Sequence, residues 1–383
     1  MRTVFFCLLI CCCGLRATAQ MPSQTIIGKT DTLYSSLLKQ QRQLLIYLPP
    51  DYSPEKRYPV CYLLDGESHF HLFTAMVRHL ANYAIPEMIV VGIVNINRGR
   101  DYPPTYDASF PDTANGKGEV FAAFMAQELI PYVEHHYATL PYRLLAGHSL
   151  GGLFVINMLL HHSAPFKAYI ALDPSLWWDG MKLVNQAPAL LSGKAWPNTT
   201  LFLGLSGQFP TDAGKVREAM KDTTVRTSDV RSVLRFKEYL AHSAGNGLRW
   251  SSKHYADEIH GSVPLPGYYD GLRFVFDFYR RPPMNILTDS TVDILERHYQ
   301  RVSQEMGYEM LPPEADLGGL AWRSTVLEHN PDRAYRYLQT YVRLYPGSAE
   351  AQERMGDYFS AKDDTARART YYQQAKALSA TSP

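Results

Sequence analysis

The sequence predicts an α/β fold, in which a mostly parallel sheet is covered by helices on both faces and is followed by a small helical extension. Short β-rich apolar runs alternate with amphipathic helical stretches, the order that parallel strands and crossover helices require. Several runs, notably 88–94, are apolar throughout, as expected of strands buried on both faces. Beyond residue 283 the composition changes to Tyr, Arg, Ala and Gln at helical spacing, which predicts the extension.

The strands and helices follow from the period of the apolar residues. We expect strands at 44–48, 60–64, 88–94, 143–146, 169–172, 200–205 and 249–254. We expect helices at 119–136, 150–162, 228–243 and 268–279. In parallel sheets reactive groups collect at the carboxyl ends of the strands, so the loops that follow these strands are the place to look for chemistry.

Composition excludes several classes of partner. The chain has 383 residues, of which 46% are apolar and 20% charged, enough for a full-sized core and a smaller appended unit. The formal net charge is +1 and no run of like charges stands out, so neither a nucleic-acid surface nor a polybasic membrane patch is indicated. We therefore expect a small-molecule ligand.

The N-terminus has the three regions of a secretory signal peptide over residues 1–19. Arg2 precedes the apolar stretch 4–15, and Ala-Thr-Ala stands before Gln20. The apolar stretch is shorter than the ~20 residues that span a bilayer, and no other segment is long enough. Lipid anchoring is the alternative, but small residues do not precede Cys7, Cys11, Cys12 or Cys13. The sequence favours a periplasmic or secreted protein. After cleavage of the signal peptide Cys61 would be the one remaining cysteine, and we expect it to be a small buried hydrophobe.

The segment 147–151, Gly-His-Ser-Leu-Gly, lies between a predicted strand and a predicted helix. A serine at such a sharp turn adopts strained backbone angles, and glycines on either side let the strand and the helix approach. This context predicts that Ser149 is a nucleophile. A serine hydroxyl needs a base, and His260 lies on a loop after a strand and before a helix. His254 and His148 are the alternative bases.

Four strings resemble one family of enzymes. They are Tyr-Leu-Leu-Asp-Gly-Glu at 62–67, Gly-His-Ser-Leu-Gly-Gly at 147–152, Asp-Pro-Ser-Leu-Trp-Trp at 173–178 and Glu-Ile-His-Gly-Ser-Val-Pro-Leu-Pro at 258–266. Together they resemble the esterase family of α/β-hydrolases, which includes enterochelin and salmochelin esterases, S-formylglutathione hydrolase, feruloyl esterases and mycolyltransferases. The resemblance implies an α/β-hydrolase domain over 20–283, with Ser149 as nucleophile and His260 as base. The string at 173–178 is most similar to the siderophore-esterase branch.

The oxyanion formed by attack of Ser149 needs two backbone donors. One is the N–H of Leu150, and the other is expected from the loop around Gly66, which follows an earlier strand. An ordinary turn is the alternative interpretation of this second loop.

The acid of a catalytic triad is the least determined residue. It is expected after the strand 200–205, but the next carboxylate is Asp212, and Gln208 stands where an acid is usual. Three solutions stay open: Asp212 reaches in, Glu258 or Asp257 orients the imidazole, or the enzyme uses a Ser-His dyad. The siderophore esterases of the family are similar in having an incomplete triad.

Four residues are candidates for substrate binding. Arg98 and Arg100 follow a central strand and could bind a carboxylate or catecholate; the alternative is that they pair with Asp101 to hold the loop. Trp177 and Trp178 could stack on an aromatic acyl group or fill the core beneath the serine.

The region 315–383, after a linker at 284–314, resembles tetratricopeptide repeats, because two stretches align at a shift of 34 residues. Fewer than three such repeats rarely form a stable unit alone. We therefore expect the tail to pack on the main domain, either as a plain helical hairpin or as a module for a protein partner.

The sequence as a whole predicts an exported serine esterase that needs neither a metal nor a cofactor. The alternatives are an acyltransferase, a feruloyl or acetyl polysaccharide esterase, and an inactive hydrolase-fold protein that binds partners through its tail.

Overall fold

A computed structural model describes residues 26–81, 83–110, 114–243 and 245–381. Within these ranges eight strands form one sheet, in the order β1-β2-β4-β3-β5-β6-β7-β8. The strands are β1 (Lys29–Ser35), β2 (Gln40–Tyr47), β3 (Tyr58–Leu63), β4 (Ile89–Ile93), β5 (Thr139–His148), β6 (Ala168–Leu172), β7 (Thr199–Ser206) and β8 (Leu248–Tyr255). β1 pairs antiparallel with β2, and β2 pairs antiparallel with β4. The six strands β3 to β8 run parallel to one another.

The predicted α/β class is confirmed. β3, β4, β6 and β7 are buried along their whole length, which explains their continuous apolar sequences. All seven predicted strands are present. β1 was not predicted, because it is an edge strand that is mostly exposed and carries little apolar signal.

Nine helices, with three short helical turns between them, cover the sheet in the described part of the first 283 residues. The helices are α1 (Gly66–Leu80), α2 (Arg98–Asp101), α3 (Gly118–Phe124), α4 (Ile130–His136), α5 (Leu150–His161), α6 (Trp178–Ser192), α7 (Ala213–Lys221), α8 (Ser228–His242) and α9 (Pro264–Val275). A π-helical turn, Met125–Leu129, joins α3 to α4 over the predicted helix 119–136, and 3-10 turns cover Val225–Thr227 and Asp277–Tyr279. α1, α2, α6 and α7 were not predicted.

Five further helices form the C-terminal region: α10 (Thr291–Met306), α11 (Glu314–Val326), α12 (Pro331–Leu344), α13 (Ala349–Ala361) and α14 (Thr365–Thr381). The expected linker 284–314 is therefore largely helical, since it contains α10. α11 packs on α12 and α13 packs on α14. A Cβ on Gly356 would lie 2.7 Å from the Tyr372 ring, so this glycine lets α13 and α14 approach closely.

The C-terminal helices share an apolar core with the sheet, as we expected of a tail that packs on the main domain. α10 buries Leu295, Tyr299, Val302 and Met306, spaced three or four residues apart along one face. The same cluster contains Tyr142 of β5, together with other side chains of the sheet and of α9. The helical region therefore covers one face of the sheet.

Among the described residues no helix is long and apolar enough to cross a membrane. The predicted signal peptide, residues 1–19, lies outside them. Cys61, the cysteine expected to remain, is buried in β3 and unpaired.

We predict that Leu295→Ala lowers the free energy of unfolding of the whole chain by about 2–5 kcal/mol, because the side chain is fully buried between α10 and the rest of its core. Chemical denaturation followed by circular dichroism and by tryptophan fluorescence measures this change. The matched control is Ile294→Ala, since Ile294 is the neighbouring residue but is 40% exposed. A separate early transition of the tail, with the main transition unmoved, would contradict a shared core.

Candidate active site

Ser149 occupies a sharp turn between β5 and α5. Its backbone angles are φ 61° and ψ −121°, so the strained conformation predicted for this serine is confirmed. Two backbone hydrogen bonds join the turn to the end of β6 and to the segment after it: the Ser149 N–H donates to the carbonyl of Leu172 (2.9 Å), and the Ser175 N–H donates to the carbonyl of Ser149 (3.1 Å). The Ser149 hydroxyl lies 3.4 Å from that of Ser175.

The glycines around Ser149 allow this turn. A Cβ on Gly147 would lie 2.6 Å from the carbonyl group of Gly151, so the end of β5 and the start of α5 touch backbone to backbone. A Cβ on Gly152 would lie 2.9 Å from Pro174 Cα. Side chains at these positions would push the helix away from the sheet.

A buried carboxylate orients His260. The Nδ1 atom of His260 lies 3.0 Å from Oδ2 of Asp173, whose side chain is fully buried at the carboxyl end of β6. The other carboxylate oxygen of Asp173 accepts the Ser206 N–H at 2.7 Å. A carboxylate only accepts hydrogen bonds, so Nδ1 carries the proton and Nε2 keeps its lone pair. This is the tautomer that a general base needs.

None of the three candidate acids from the sequence is the partner of the imidazole, and Asp257 is exposed on the loop before His260. Asp212 caps α7 by accepting the N–H groups of Gly214 (2.9 Å) and Lys215 (3.0 Å), and Glu258 accepts the Ser262 hydroxyl. Sequence reasoning missed Asp173 as an acid, although a carboxylate directly after an apolar strand was a usable signal.

Gln208, which lies in the loop after β7 where an acid is usual, is hydrogen-bonded to a second carboxylate. Its amide donates to Asp229 of α8 at 3.0 Å. Burial, and then the negative charge of Asp173, raise the pKa of Asp229 to about 6, while His260 and Gln208 oppose the shift.

The two alternative bases have other surroundings. His148 packs against His260, with 4.5 Å between ring centroids, and contacts His69 on its other side. Burial, and then the charge of His260, lower the pKa of His148 to about 3, so it stays neutral. His254 lies within β8, opposite Leu205.

The proposed oxyanion donors each begin a helix. Gly66 is the first residue of α1 and Leu150 the first of α5, so neither N–H has an acceptor within its own helix. β3 and β5 are neighbours in the sheet, which brings the two helix N-termini to the same edge. Gly66 also packs on β4, where its Cβ would lie 2.7 Å from the backbone of Gly92.

The two arginines are held by carboxylates. Arg100 donates to Asp101 at 2.7 and 3.1 Å, and Asp101 also pairs with the fully buried Arg42. This agrees with the alternative in which Arg100 holds the loop. Arg98 pairs with Asp65 instead, and 42% of its side chain stays exposed.

The two tryptophans differ in exposure. Trp178 is 2% exposed, its indole N–H donates to Thr105 (2.8 Å), and its ring packs on Phe110. It therefore fills the core, the second of the two interpretations. Trp177 is partly buried, and its exposed part is available to a ligand.

One group of side chains could hold a metal ion. His148, Asp173 and His260 each offer a ligand atom within 4.8 Å of the others. The hydrogen bond between His260 and Asp173 gives this group a role without an ion.

The chain is similar to known esterases. The model of the family described as Putative esterase matches residues 35–202, a range that includes Ser149 and Asp173. The siderophore enterobactin esterase of Emericella nidulans is 27% identical over 246 residues, covering 56% of this chain and 80% of that protein. The ferri-bacillibactin esterase BesA of Bacillus subtilis is 33% identical over 177 residues, covering 40% and 61%.

Among solved structures, an IroE-like serine hydrolase from Shewanella oneidensis superposes with a TM-score of 0.68 at 28% identity, covering 83% of this chain and 99% of that one. The family match over residues 35–202 and the named relatives support the Putative esterase family for this chain. The same match and the structural neighbours support an ester hydrolase. The α/β-hydrolase fold inferred from the four strings is confirmed.

We predict that the stabilising effect of Asp229→Asn depends on pH. The folded pKa of Asp229 is raised to about 6, above the ~3.9 of an unfolded chain. Its ionised form is therefore disfavoured in the fold, and stability falls as pH rises through this interval. The variant should match the wild-type Tm near pH 4 and exceed it at pH 7.5, as differential scanning fluorimetry measures.

The control is Asp222→Asn, which should act in the opposite direction. Hydrogen bonds from the backbone and side chain of Thr224 lower the pKa of Asp222, so its charged form stabilises the fold above the unfolded pKa. This variant should lose Tm at pH 7.5. Equal shifts of both variants at every pH would show that the charge on Asp229 is not disfavoured.

Proposed function

We propose that this protein is an exported serine esterase that hydrolyses carboxylic esters through an acyl-enzyme. Ser149 is the nucleophile, His260 the general base and Asp173 the acid that orients it. The observation that carries the proposal is the 3.0 Å hydrogen bond between His260 and the buried Asp173, joined through backbone hydrogen bonds to the turn that bears Ser149.

The proposed reaction uses these residues in two steps, acylation and deacylation. The Ser149 hydroxyl oxygen attacks the ester carbonyl carbon while Nε2 of His260 takes its proton. The carbonyl oxygen becomes an oxyanion, and the N–H groups of Gly66 and Leu150 stabilise its charge. Asp173 stabilises the imidazolium that forms. When the tetrahedral intermediate collapses, the bond between the carbonyl carbon and the alkoxide oxygen breaks, and the His260 imidazolium protonates that oxygen so that the neutral alcohol leaves.

Deacylation repeats these steps with water. His260 removes a proton from water, the hydroxide attacks the acyl carbon, and the ester bond to Ser149 breaks. The proton returns to the serine oxygen, so each turnover consumes one water and releases one acid and one alcohol. Added alcohols would compete with water at this step, which is how hydrolysis and acyl transfer differ.

We propose siderophore esters with anionic, aromatic acyl groups as the substrate class. The matched relatives from Emericella nidulans and Bacillus subtilis are named as siderophore esterases. The exposed parts of Arg98 and Trp177 offer charge and aromatic surface. Exposed apolar side chains also follow the strands at the edge of the sheet where the strands have their carboxyl ends. They include Ile96 after β4 and Ile259 beside His260. Such a rim favours a bulky aromatic ligand over a small aliphatic one.

Export rests on the predicted signal peptide at residues 1–19 and places the protein in the periplasm or outside the cell. The alternative of an inactive hydrolase-fold protein rests on the lack of a carboxylate directly after the strand 200–205 and on the appended helices. Asp173, directly after the neighbouring strand β6, lies within hydrogen-bond distance of His260, which supports an active enzyme instead. The helical tail as a protein-binding module remains a separate proposal.

We predict that Ser149→Ala lowers kcat for p-nitrophenyl acetate by at least about 10³-fold, because no other group forms the acyl-enzyme. A fluorophosphonate probe should label the wild-type protein at Ser149 and leave this variant unlabelled. The control is Ser175→Ala, which removes the nearest hydroxyl but not the nucleophile. Unchanged hydrolysis by Ser149→Ala would refute the assignment.

We predict that Asp173→Asn lowers kcat by about 10²–10⁴-fold with little change in KM, because an amide in this place favours the wrong imidazole tautomer. Steady-state kinetics compare this variant with Asp212→Asn and Glu258→Gln, which remove two of the three acids considered from sequence. Those two variants should keep near wild-type kcat. A large loss in either of them, with Asp173→Asn active, would move the acid to that residue.

A further inference from the structure

His148 is a buried histidine that the proposed reaction does not use. It is the last residue of β5, directly before Ser149, and it is 8% exposed. Its Nε2 atom is buried and has no hydrogen-bond partner among the described residues. Such an atom is uncommon in folded proteins, because burial takes away its hydrogen bond to water. Imidazole nitrogens are also the commonest metal ligands, so this side chain has an atom to offer to an ion.

Asp173 and His260 complete a group of three ligands around His148. The three side chains each present one ligand atom, and these atoms lie within 4.8 Å of one another. Nδ1 of His260 is already 3.0 Å from Oδ2 of Asp173. In a tetrahedral zinc site with bonds of ~2.0 Å, neighbouring ligand atoms lie about 3.3 Å apart. The atom of His148 therefore has to approach the other two by no more than about 1.5 Å.

The chemistry of the three side chains selects the kind of ion. Two imidazole nitrogens and one carboxylate oxygen suit divalent transition metals such as Zn²⁺, whereas Mg²⁺ and Ca²⁺ prefer sites made of oxygen atoms. Three protein ligands leave the fourth zinc position to a water molecule. The side chain of His260 is 44% exposed, so an ion can reach the group from solvent.

We propose that His148, Asp173 and His260 form an inhibitory site for a divalent transition-metal ion, with Zn²⁺ as the ion that fits it. Binding of the ion requires only these three side chains. The inhibition rests on the proposed serine-esterase function, because two of the ligands are its general base and the acid that orients it.

The inhibition follows from the tautomer of His260. An ion bound to Nδ1 and to Asp173 takes the place of the proton that Nδ1 carries in the proposed catalytic state. The neutral ring then carries its one proton on Nε2, so the ring keeps its charge but has no lone pair for the proton of Ser149. Asp173 is also no longer available to stabilise an imidazolium. Metal binding and general-base catalysis therefore exclude each other.

The first measurement is the rate of p-nitrophenyl acetate hydrolysis in a buffer that does not bind metals, corrected for hydrolysis by the ion alone. Saturating Zn²⁺ should lower the wild-type rate at least about 10²-fold, as expected for the wrong imidazole tautomer. Mg²⁺ at the same concentrations should not inhibit, and Mn²⁺ should inhibit more weakly than Zn²⁺. Excess EDTA should restore the full rate, because no covalent bond has changed.

The decisive variant is His148→Phe, which keeps a ring beside His260 but has no ligand atom. Relative to its own metal-free rate, its inhibition constant for Zn²⁺ should rise at least about tenfold, since even the loss of a group that only orients a ligand costs that much. His148→Gln is the second variant, should the larger ring disturb the fold, and Tm reports the fold of both. Equal zinc inhibition of wild type and both variants would overturn the proposal.

Two histidines elsewhere provide matched controls. His298 in α10 also has a buried Nε2 atom without a partner, and His162 pairs with the Glu119 carboxylate at 2.7 Å on the surface. His298→Gln and His162→Gln should keep the zinc inhibition constant of the wild type. Loss of inhibition in His162→Gln, with His148→Phe still inhibited, would move the site to the surface pair and overturn the proposal.

Zinc binding is measured separately from activity by isothermal titration calorimetry on Ser149→Ala, which keeps all three ligands. This variant should bind Zn²⁺ as the wild type does, and adding His148→Phe should remove that binding. Binding to the wild type without inhibition would also contradict the proposal. A wild-type protein that neither hydrolyses esters nor labels with a fluorophosphonate at Ser149 is a different failure: it removes the proposed function and with it the inhibition, while the calorimetry still decides whether the three residues bind Zn²⁺.

Discussion

The close contact between the end of β5 and the start of α5 is the constraint on which the site depends. Gly147 and Gly151 meet backbone to backbone, and this forces Ser149 into its strained conformation above the sheet. The same turn leaves the Leu150 N–H at the first position of a helix. The proposed nucleophile and one of the proposed oxyanion donors are therefore two consequences of one packing arrangement.

The parallel sheet explains why an acid on β6 can serve His260. β6, β7 and β8 are successive neighbours, so all their carboxyl ends lie along one edge. Asp173 reaches the imidazole from β6, and the Ser206 N–H at the end of β7 fixes its other oxygen. The loop after β7 then carries Gln208, and its carboxylate, Asp212, caps α7 instead of reaching the imidazole. Asp229, which accepts a hydrogen bond from Gln208, is a second carboxylate near Asp173 and His260. Its pKa is raised mainly by burial.

Local sequence signals predicted the central strands, the serine turn and the loop of His260, because their apolar runs and glycines act over a few residues. Roles that depend on distant partners could not be predicted. Arg100 belongs to the loop because of Asp101 and Arg42, which lies 59 residues before Asp101 in sequence, and Trp178 is a core residue because Thr105, 73 residues away, accepts its N–H. β1 escaped prediction for another reason: an exposed edge strand has little apolar periodicity.

The most direct test of the central claim, that Asp173 orients His260, is nitrogen NMR of ¹⁵N-histidine-labelled protein at a pH where the imidazole is neutral. The account predicts that the His260 ring carries its proton on Nδ1, that Asp173→Asn changes this tautomer, and that Asp212→Asn does not. A proton on Nε2 in the wild-type protein, or a tautomer that Asp173→Asn leaves unchanged, would contradict it.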